Sequence, residues 1–167
     1  MPPEPNIDPI ALLKGLSDGG VDFVLIGGIA GTLWGSPLPT TDLDITPERS
    51  EANLARLAQV LTAIRAVEWA HDRGDYVERD WSAEMLKVDK VWLLGTDHGD
   101  LDLVFEPSGV GGYAQLSKRS EWMSIAGLRV QVMALEDLIM SKEAAGRQRD
   151  REALPTLLKL LDKRRLQ

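Results

Sequence analysis

The fold of this chain is decided by Val24-Leu25-Ile26-Gly27-Gly28-Ile29-Ala30, followed after a short loop by Thr41-Asp42-Leu43-Asp44-Ile45. An apolar run enters a double glycine, a short helix follows, and a second run alternates acids with apolar residues. Side chains at i and i+2 of a strand point to one face, so Asp42 and Asp44 project together while Leu43 and Ile45 face a core. Adjacent carboxylates repel each other unless a cation neutralises them, and hard cations take oxygen ligands. The glycines let backbone N–H groups approach an anion at the start of a helix, where the dipole also favours negative charge. In this order the two runs predict a site for a triphosphate and its divalent metal.

Composition limits the alternatives. The sequence has no cysteine and two histidines, His71 and His98, which removes disulfides and thiolate metal sites and leaves little for a His-rich zinc site; a reducing cytoplasm fits. No apolar run approaches the length of a membrane span, so no membrane partner is expected. The net charge of −7 is uneven: residues 138–167 carry eight basic and four acidic side chains, +4, and the other 137 residues carry 11 basic and 22 acidic, −11. An acidic body opposes broad nucleic-acid binding, which depends on neutralising many phosphates, while the C-terminal segment keeps a local basic face.

Along the chain, residues 1–8 read as a disordered lead and 9–167 as a single domain. Pro9–Leu16 has helical spacing, and Val21–Ile26 is a short buried strand bounded by glycine. Ile29–Trp34 reads as a helix ending at Gly35, and Thr40–Thr46 as the second strand. Ser50 suits the N-cap of a long helix with Leu54, Leu57, Leu61 and Ile64 on one stripe. The polar stretch 70–82 has no clear period, and its acids, Asp72, Asp75, Glu78 and Asp80, read as a solvated loop. Lys90–Leu94 and Leu101–Phe105 flank a turn-rich link containing His98, and Glu121–Ile125 and Leu128–Val132 flank Ala126-Gly127; both pairs read as hairpins. A helix over Glu136–Ala145 stops at Gly146, and a last helix covers Asp150–Arg164, where Pro155 leaves room for a separate first turn. Strands and helices mix without βαβα alternation, so the fold class is α+β, a mixed β-sheet flanked by helices.

Phosphoryl-transfer sites usually need a third carboxylate. Asp102, on a predicted strand with apolar neighbours, is the candidate, and a strand beside Thr40–Thr46 would bring it to Asp42 and Asp44. Asp100 reads first as a turn residue and second as a site acid. Among the tryptophans, Trp34 lies nearest the glycines and could stack on a base, although packing is the commoner fate.

Gly27-Gly28, Asp42-x-Asp44 and the strand-borne Asp102 resemble the signature of the nucleotidyltransferase superfamily related to polymerase beta. The segment from Leu138 to Asp150 is similar to the Lys…Arg-x-x-Asp motif of the AbiEii and MenT-like toxin nucleotidyltransferases, here in a small single-domain form. The resemblance implies a minimal nucleotidyltransferase fold with C-terminal helices. It implies Mg²⁺ on Asp42, Asp44 and Asp102, with Asp102 also able to deprotonate the acceptor. It implies that Gly27, Gly28, Lys142 and Arg147 grip the nucleoside triphosphate, with Arg149 a further cation and Asp150 an orienting partner. Gly28 stands where many members carry serine, and the loop Ser36-Pro37-Leu38-Pro39 supplies no arginine. The implied reaction moves a nucleoside monophosphate to a hydroxyl: a tRNA 3′ end reached through the basic C-terminal segment, as the toxin partnered by an antitoxin protein, or a small antibiotic-type molecule, which suits an acidic body. The competing expectation is a non-catalytic nucleotide- or partner-binding module of the same fold.

Overall fold

The computed structural model describes residues 6–167. Of the expected lead, 1–5 lie outside the described residues. Ile7 packs against Gly99, where an added Cβ would lie 2.8 Å from the Ile7 Cα, and Asp8 caps the first helix, its Oδ1 accepting from the Ala11 N–H at 3.0 Å. That helix, α1 (Pro9–Asp18), precedes β1 (Phe23–Ile26), α2 (Gly27–Trp34), β2 (Asp42–Pro47) and α3 (Glu51–Ala63). The strands β3 (Val67–Ala70) and β4 (Asp75–Glu78) follow, then the single turn α4 (Ala83–Leu86) and the hairpin β5 (Val91–Thr96) and β6 (Gly99–Val104). The chain ends with α5 (Tyr113–Arg119), the hairpin β7 (Glu121–Ile125) and β8 (Leu128–Val132), α6 (Leu135–Ala145) and α7 (Gln148–Arg165).

All eight strands join one sheet in the order β4-β3-β5-β6-β2-β1-β8-β7. β2–β6 and β1–β8 are parallel, and the other neighbours are antiparallel. This mixed sheet with flanking helices is the α+β arrangement expected from the sequence. The period-2 pattern of β2 and β6 explains their placement at its centre. Leu43, Ile45, Leu101 and Leu103 are fully buried, and full burial of such side chains contributes about 1.5–3 kcal/mol each. Leu12, Leu13 and Leu16 of α1 and Leu54, Leu57 and Leu61 of α3 belong to the same core.

One buried polar side chain fixes how α3 meets the sheet. Asn53, with no exposed surface, accepts from the Asp22 N–H at 2.8 Å and donates to the Asp22 and Glu48 carbonyls at 2.9 and 2.8 Å. The backbone on either side of the β1–β2 pair is thereby tied to the first turn of α3, whose N-cap is Ser50. A buried amide is stable only when so satisfied.

Three local expectations change. Stretch 70–82 is not one solvated loop: Asp75–Glu78 is an edge strand paired with Val67–Ala70, turning at Gly74 with φ +63°. Its side chains are mostly exposed, so little apolar periodicity marks it in sequence. Asp100 is a strand residue, because β6 begins at Gly99 and the turn has contracted to Asp97-His98. The last helix runs unbroken through Pro155, held by its buried stripe Ala153, Leu157 and Leu161.

Candidate active site

β2 and β6 place four acids in two ranks. In the parallel pairing Asp42 stands opposite Asp100, and Asp44 opposite Asp102. Because Leu43, Ile45, Leu101 and Leu103 occupy the core face, all four carboxylates emerge on the other face. Oxygens of Asp42, Asp44 and Asp102 lie within 4.8 Å of one another. The three acids that the sequence assigns to a metal therefore meet at one point.

Burial and mutual repulsion raise the proton affinities of Asp44 and Asp102. Burial and the nearby Asp42 charge push Asp44 up to about 6, with a hydrogen bond from Asp102 and the charges of Arg149 and Lys142 acting in the opposite sense. Burial and the charges of Asp44 and Asp42 push Asp102 up to about 9, and its carboxyl is hydrogen-bonded to both. Asp100 is raised too, by burial and then by Asp42. Three carboxyls that must share protons to coexist suit a divalent cation: a cation replaces the protons and satisfies the oxygen donor set. Magnesium, as a hard cation, fits these residues.

The glycine turn abuts this cluster. Gly27 has φ +69°, and a Cβ there would collide with Asp44 Oδ2 and lie 2.9 Å from its Cγ. A Cβ on Gly28 would meet Thr40 Oγ1 at 2.7 Å. Both residues open α2, whose N-cap Ile26 provides no side-chain acceptor, so the first N–H groups of that helix lack a capping partner. Thr40 closes the turn from the other side, donating to the Asp42 carbonyl at 3.2 Å.

The C-terminal cations separate. Lys142, on the last turn of α6, lies 3.4 Å from Asp150 Oδ1, and its charge acts on Asp44 as well. Asp150 is 1% exposed, and its Oδ2 accepts from Arg147 Nε at 2.7 Å and from the Arg147 backbone N–H at 3.2 Å. Arg147 is thereby engaged at the start of α7, whereas the charge of Arg149 is the arginine charge acting on Asp44. Trp34 does not stand ready as a base-stacking platform. Its Nε1 donates to the Met133 carbonyl at 2.9 Å, and the Arg164 guanidinium lies 4.3 Å from its ring centre.

Beyond the acids, away from β1, lies a cleft of about 180 Å³. It is lined by Asp42, Asp100, Asp102, Leu93 and Leu94, with Trp69 and Tyr76 as its aromatic wall. Trp69 and Tyr76 pack edge to face with centroids 5.1 Å apart, and Tyr76 fits against the bare Cα of Gly95, where a Cβ would lie 2.9 Å from its ring. Sequence reasoning missed this wall. The available signal was aromatic and β-branched residues on both sides of Gly74, the pattern of a short hairpin.

Comparison with solved structures places this architecture. LnuA, a lincosamide antibiotic adenylyltransferase solved with lincomycin bound, superposes with a TM-score of 0.63 over 93% of this chain and 99% of its own, at 15% identity. The fold is that of a nucleotidyltransferase. TM1012 from Thermotoga maritima, considered a nucleotidyltransferase, gives 0.56 at 17% identity over 92% of this chain and 95% of its own. An antigenic nucleotidyltransferase-like protein from Paracoccidioides brasiliensis gives 0.57 at 18% identity over 90% of this chain and 73% of its own. At these identities the likeness is one of fold. No protein-family model and no curated protein matches the sequence. Among the described residues, no helix is long and apolar enough to cross a membrane.

Proposed function

We propose that this protein is a magnesium-dependent nucleotidyltransferase that moves a nucleoside monophosphate from a nucleoside triphosphate to a hydroxyl acceptor. The observation that carries this reading is the convergence of Asp42, Asp44 and Asp102 oxygens within 4.8 Å beside the uncapped start of α2. Asp42, Asp44 and Asp102 would hold magnesium, which supplies charge neutralisation for the phosphates and the developing transition state. The backbone of Gly27 and Gly28 would receive the phosphates at the helix N-terminus. Lys142, oriented by buried Asp150, would add a point charge, as would Arg149, and Arg147 would position Asp150.

In the transfer, the acceptor oxygen attacks the α-phosphorus and a new P–O bond forms. The bond from the α-phosphorus to its bridging oxygen breaks, and pyrophosphate leaves with the electron pair. The acceptor proton passes to Asp102, once that carboxyl has given up its own proton.

Two acceptors were expected from the sequence, a tRNA 3′ end and a small molecule. Asp100, the carboxylate of the cleft outside the metal set, supports the small molecule, because each nucleotide of an RNA brings a further negative charge. The antibiotic acceptor of LnuA, on a chain of nearly the same extent, supports the same choice. The toxin assignment with its antitoxin partner rests on Lys142, Arg147 and Asp150 alone. In the test, the protein is incubated with labelled nucleoside triphosphates, Mg²⁺ and either total tRNA or a set of hydroxylated small molecules, beside Asp44→Ala. Transfer to a small molecule that disappears in the variant supports the proposal. Transfer to tRNA supports the toxin reading, and nucleotide binding without turnover on any acceptor supports a binding module.

A further inference from the structure

Strand β7 closes one end of the sheet, and its outer edge is open. It pairs with β8 alone, and among the described residues no hydrogen bond outside that ladder reaches its backbone. Sheet edges are commonly blunted by lysine or proline in the strand, by a bulge, or by a covering segment. Glu121-Trp122-Met123-Ser124-Ile125 holds neither lysine nor proline, and its pairing with β8 runs through all five residues without a bulge. Met123 and Ile125 pack against the core and hold the strand in place, which leaves Trp122 and Ser124 on the other face. Trp122 is 57% exposed, and the Arg129 guanidinium lies 5.3 Å from its ring centre. Tryptophan and arginine are the residue types that most often dominate the energy of an interface.

Charge distinguishes the occupants of this edge. Residues 113–132 and 159–167 together carry seven basic and two acidic side chains, +5, while the rest of the chain carries 12 basic and 24 acidic, −12. The two stretches meet where Arg164 reaches Glu121 at 3.4 Å, which sets the last turn of α7 at the head of β7. Glu121, the one acid of the β7–β8 hairpin, is engaged by that contact. Lys118, Arg129, Lys163 and Arg165 are exposed, and among the described residues none of them forms a salt bridge. A second copy placed here would bring the same excess of cations, and like charges across an interface disfavour pairing. A segment rich in carboxylates removes that conflict, and in extended form it also supplies the backbone partners that the edge lacks.

We propose that β7 is a docking edge for an extended acidic segment of a partner protein, which adds to the sheet as a ninth strand. Its backbone pairs with β7, its carboxylates meet Lys118, Arg129 and the last turn of α7, and an apolar side chain covers Trp122. This surface is independent of the reaction proposed above.

The experiment uses the full chain and follows its indole N–H resonances by NMR, the Trp122 and Trp69 signals being assigned from Trp122→Phe and Trp69→Phe. Trp69, beside the acidic strand β4 at the far end of the sheet, is the internal control. The probes are three end-blocked peptides: Glu-Val-Glu-Val-Glu-Val-Glu, its Lys-for-Glu counterpart, and Glu-Pro-Glu-Pro-Glu-Pro-Glu. The last keeps the charge but cannot form a strand ladder. The expected result is a saturable shift at Trp122 and not at Trp69 with the Glu-Val peptide. Its affinity should exceed that of the other two by about tenfold or more, through the backbone bonds and the charge match, and should fall as salt is raised. Arg129→Glu should remove the advantage over the Lys peptide, whereas Arg151→Glu, at the other end of α7, should leave it intact. The proposal is overturned if the Glu-Val peptide gives no saturable shift at Trp122, or if either control peptide binds as tightly. Concentration-dependent self-association in sedimentation that Arg129→Glu abolishes also overturns it, because the edge then receives a second copy of this chain.

Discussion

Asp44 and Asp102 are register partners in the parallel pair of β2 and β6, and burial, followed by the charge of Asp44 beside it, makes Asp102 hold its proton. Both pKa values, about 6 and about 9, stand above the ordinary 3.8. The metal-free folded protein therefore binds protons that the unfolded chain has released. Stability from this source is complete below about pH 4 and declines as pH rises through 6 and then 9. The melting temperature of the metal-free protein should fall from pH 5 to pH 9, and Asp102→Asn should flatten most of that slope and raise stability at pH 8 by about 1–2 kcal/mol, allowing for solvent screening. Asp150 and Glu106, whose values are lowered, act in the opposite sense at more acidic pH, outside this window. Melting curves in EDTA across the range are the check; a temperature that rises from pH 6 to 9 contradicts the assignment.

Magnesium must displace the same protons. Its affinity should then climb steeply with pH, approaching tenfold per unit where one proton is released per ion, and should level off above pH 9. Calorimetric titration in two buffers of different ionisation enthalpy counts the protons. Asp44→Ala should abolish binding while leaving a folded protein, since it also removes a like charge from the cluster. Affinity independent of pH between 6 and 8 would show that the three acids are not the ligands.

Gly27 is constrained twice, by φ +69° and by the Asp44 carboxylate in the space a side chain would need. Gly27→Ala should cost about 1–2 kcal/mol for the left-handed backbone and also turn Asp44 away, reducing magnesium affinity at least about tenfold in the protein that remains folded. Gly35→Ala serves as the comparison. Gly35 has φ +112°, but it lies at the opposite end of α2 from Gly27, and an added Cβ there would meet Leu160 at 3.3 Å and none of the acids. It should lose similar stability and keep its magnesium affinity. Equal effects of the two variants on the metal would mean that Gly27 acts through folding alone.

The legibility of this molecule follows burial. Strands β1, β2 and β6 declare themselves because their core faces are purely apolar, and the same period-2 pattern orients Asp42, Asp44 and Asp102 before any coordinates exist. What the pattern does not carry is register: only the parallel pairing shows that Asp44, not Asp42, stands opposite Asp102, and that Asp100 forms the fourth corner. Helices α3 and α6 are equally legible from Ser50 and Gly146 at their ends. The β3–β4 hairpin is obscured because β4 is an exposed edge whose packing comes from one ring, Tyr76, lying on Gly95 some twenty residues later. The i,i+3 spacing of Arg147 and Asp150 is legible, but the ranking of Arg147 and Arg149 depends on long-range geometry: it is the charge of Arg149 that acts on Asp44.

Asp150 offers the sharpest test of that C-terminal arrangement. It is 1% exposed, and burial alone would raise its pKa, yet the hydrogen bond and charge of Arg147, followed by the charge of Lys142, hold it below the ordinary carboxylate range. It also closes the first turn of α7 through the Arg147 backbone N–H. Asp150→Ala should cost about 2–3 kcal/mol, about 1 from the lost cap and the rest from the cations left facing a buried gap, a smaller penalty than for a fully enclosed pair because Arg147 is half exposed. Asp150→Asn retains an acceptor for the N–H and should cost roughly half as much. Both variants release Lys142, so nucleoside triphosphate affinity should weaken in each even at temperatures where each is fully folded. Urea unfolding gives the first quantity and fluorescent-nucleotide titration the second. A stable Asp150→Asn protein with wild-type nucleotide affinity would show that Asp150 serves the helix and not the lysine.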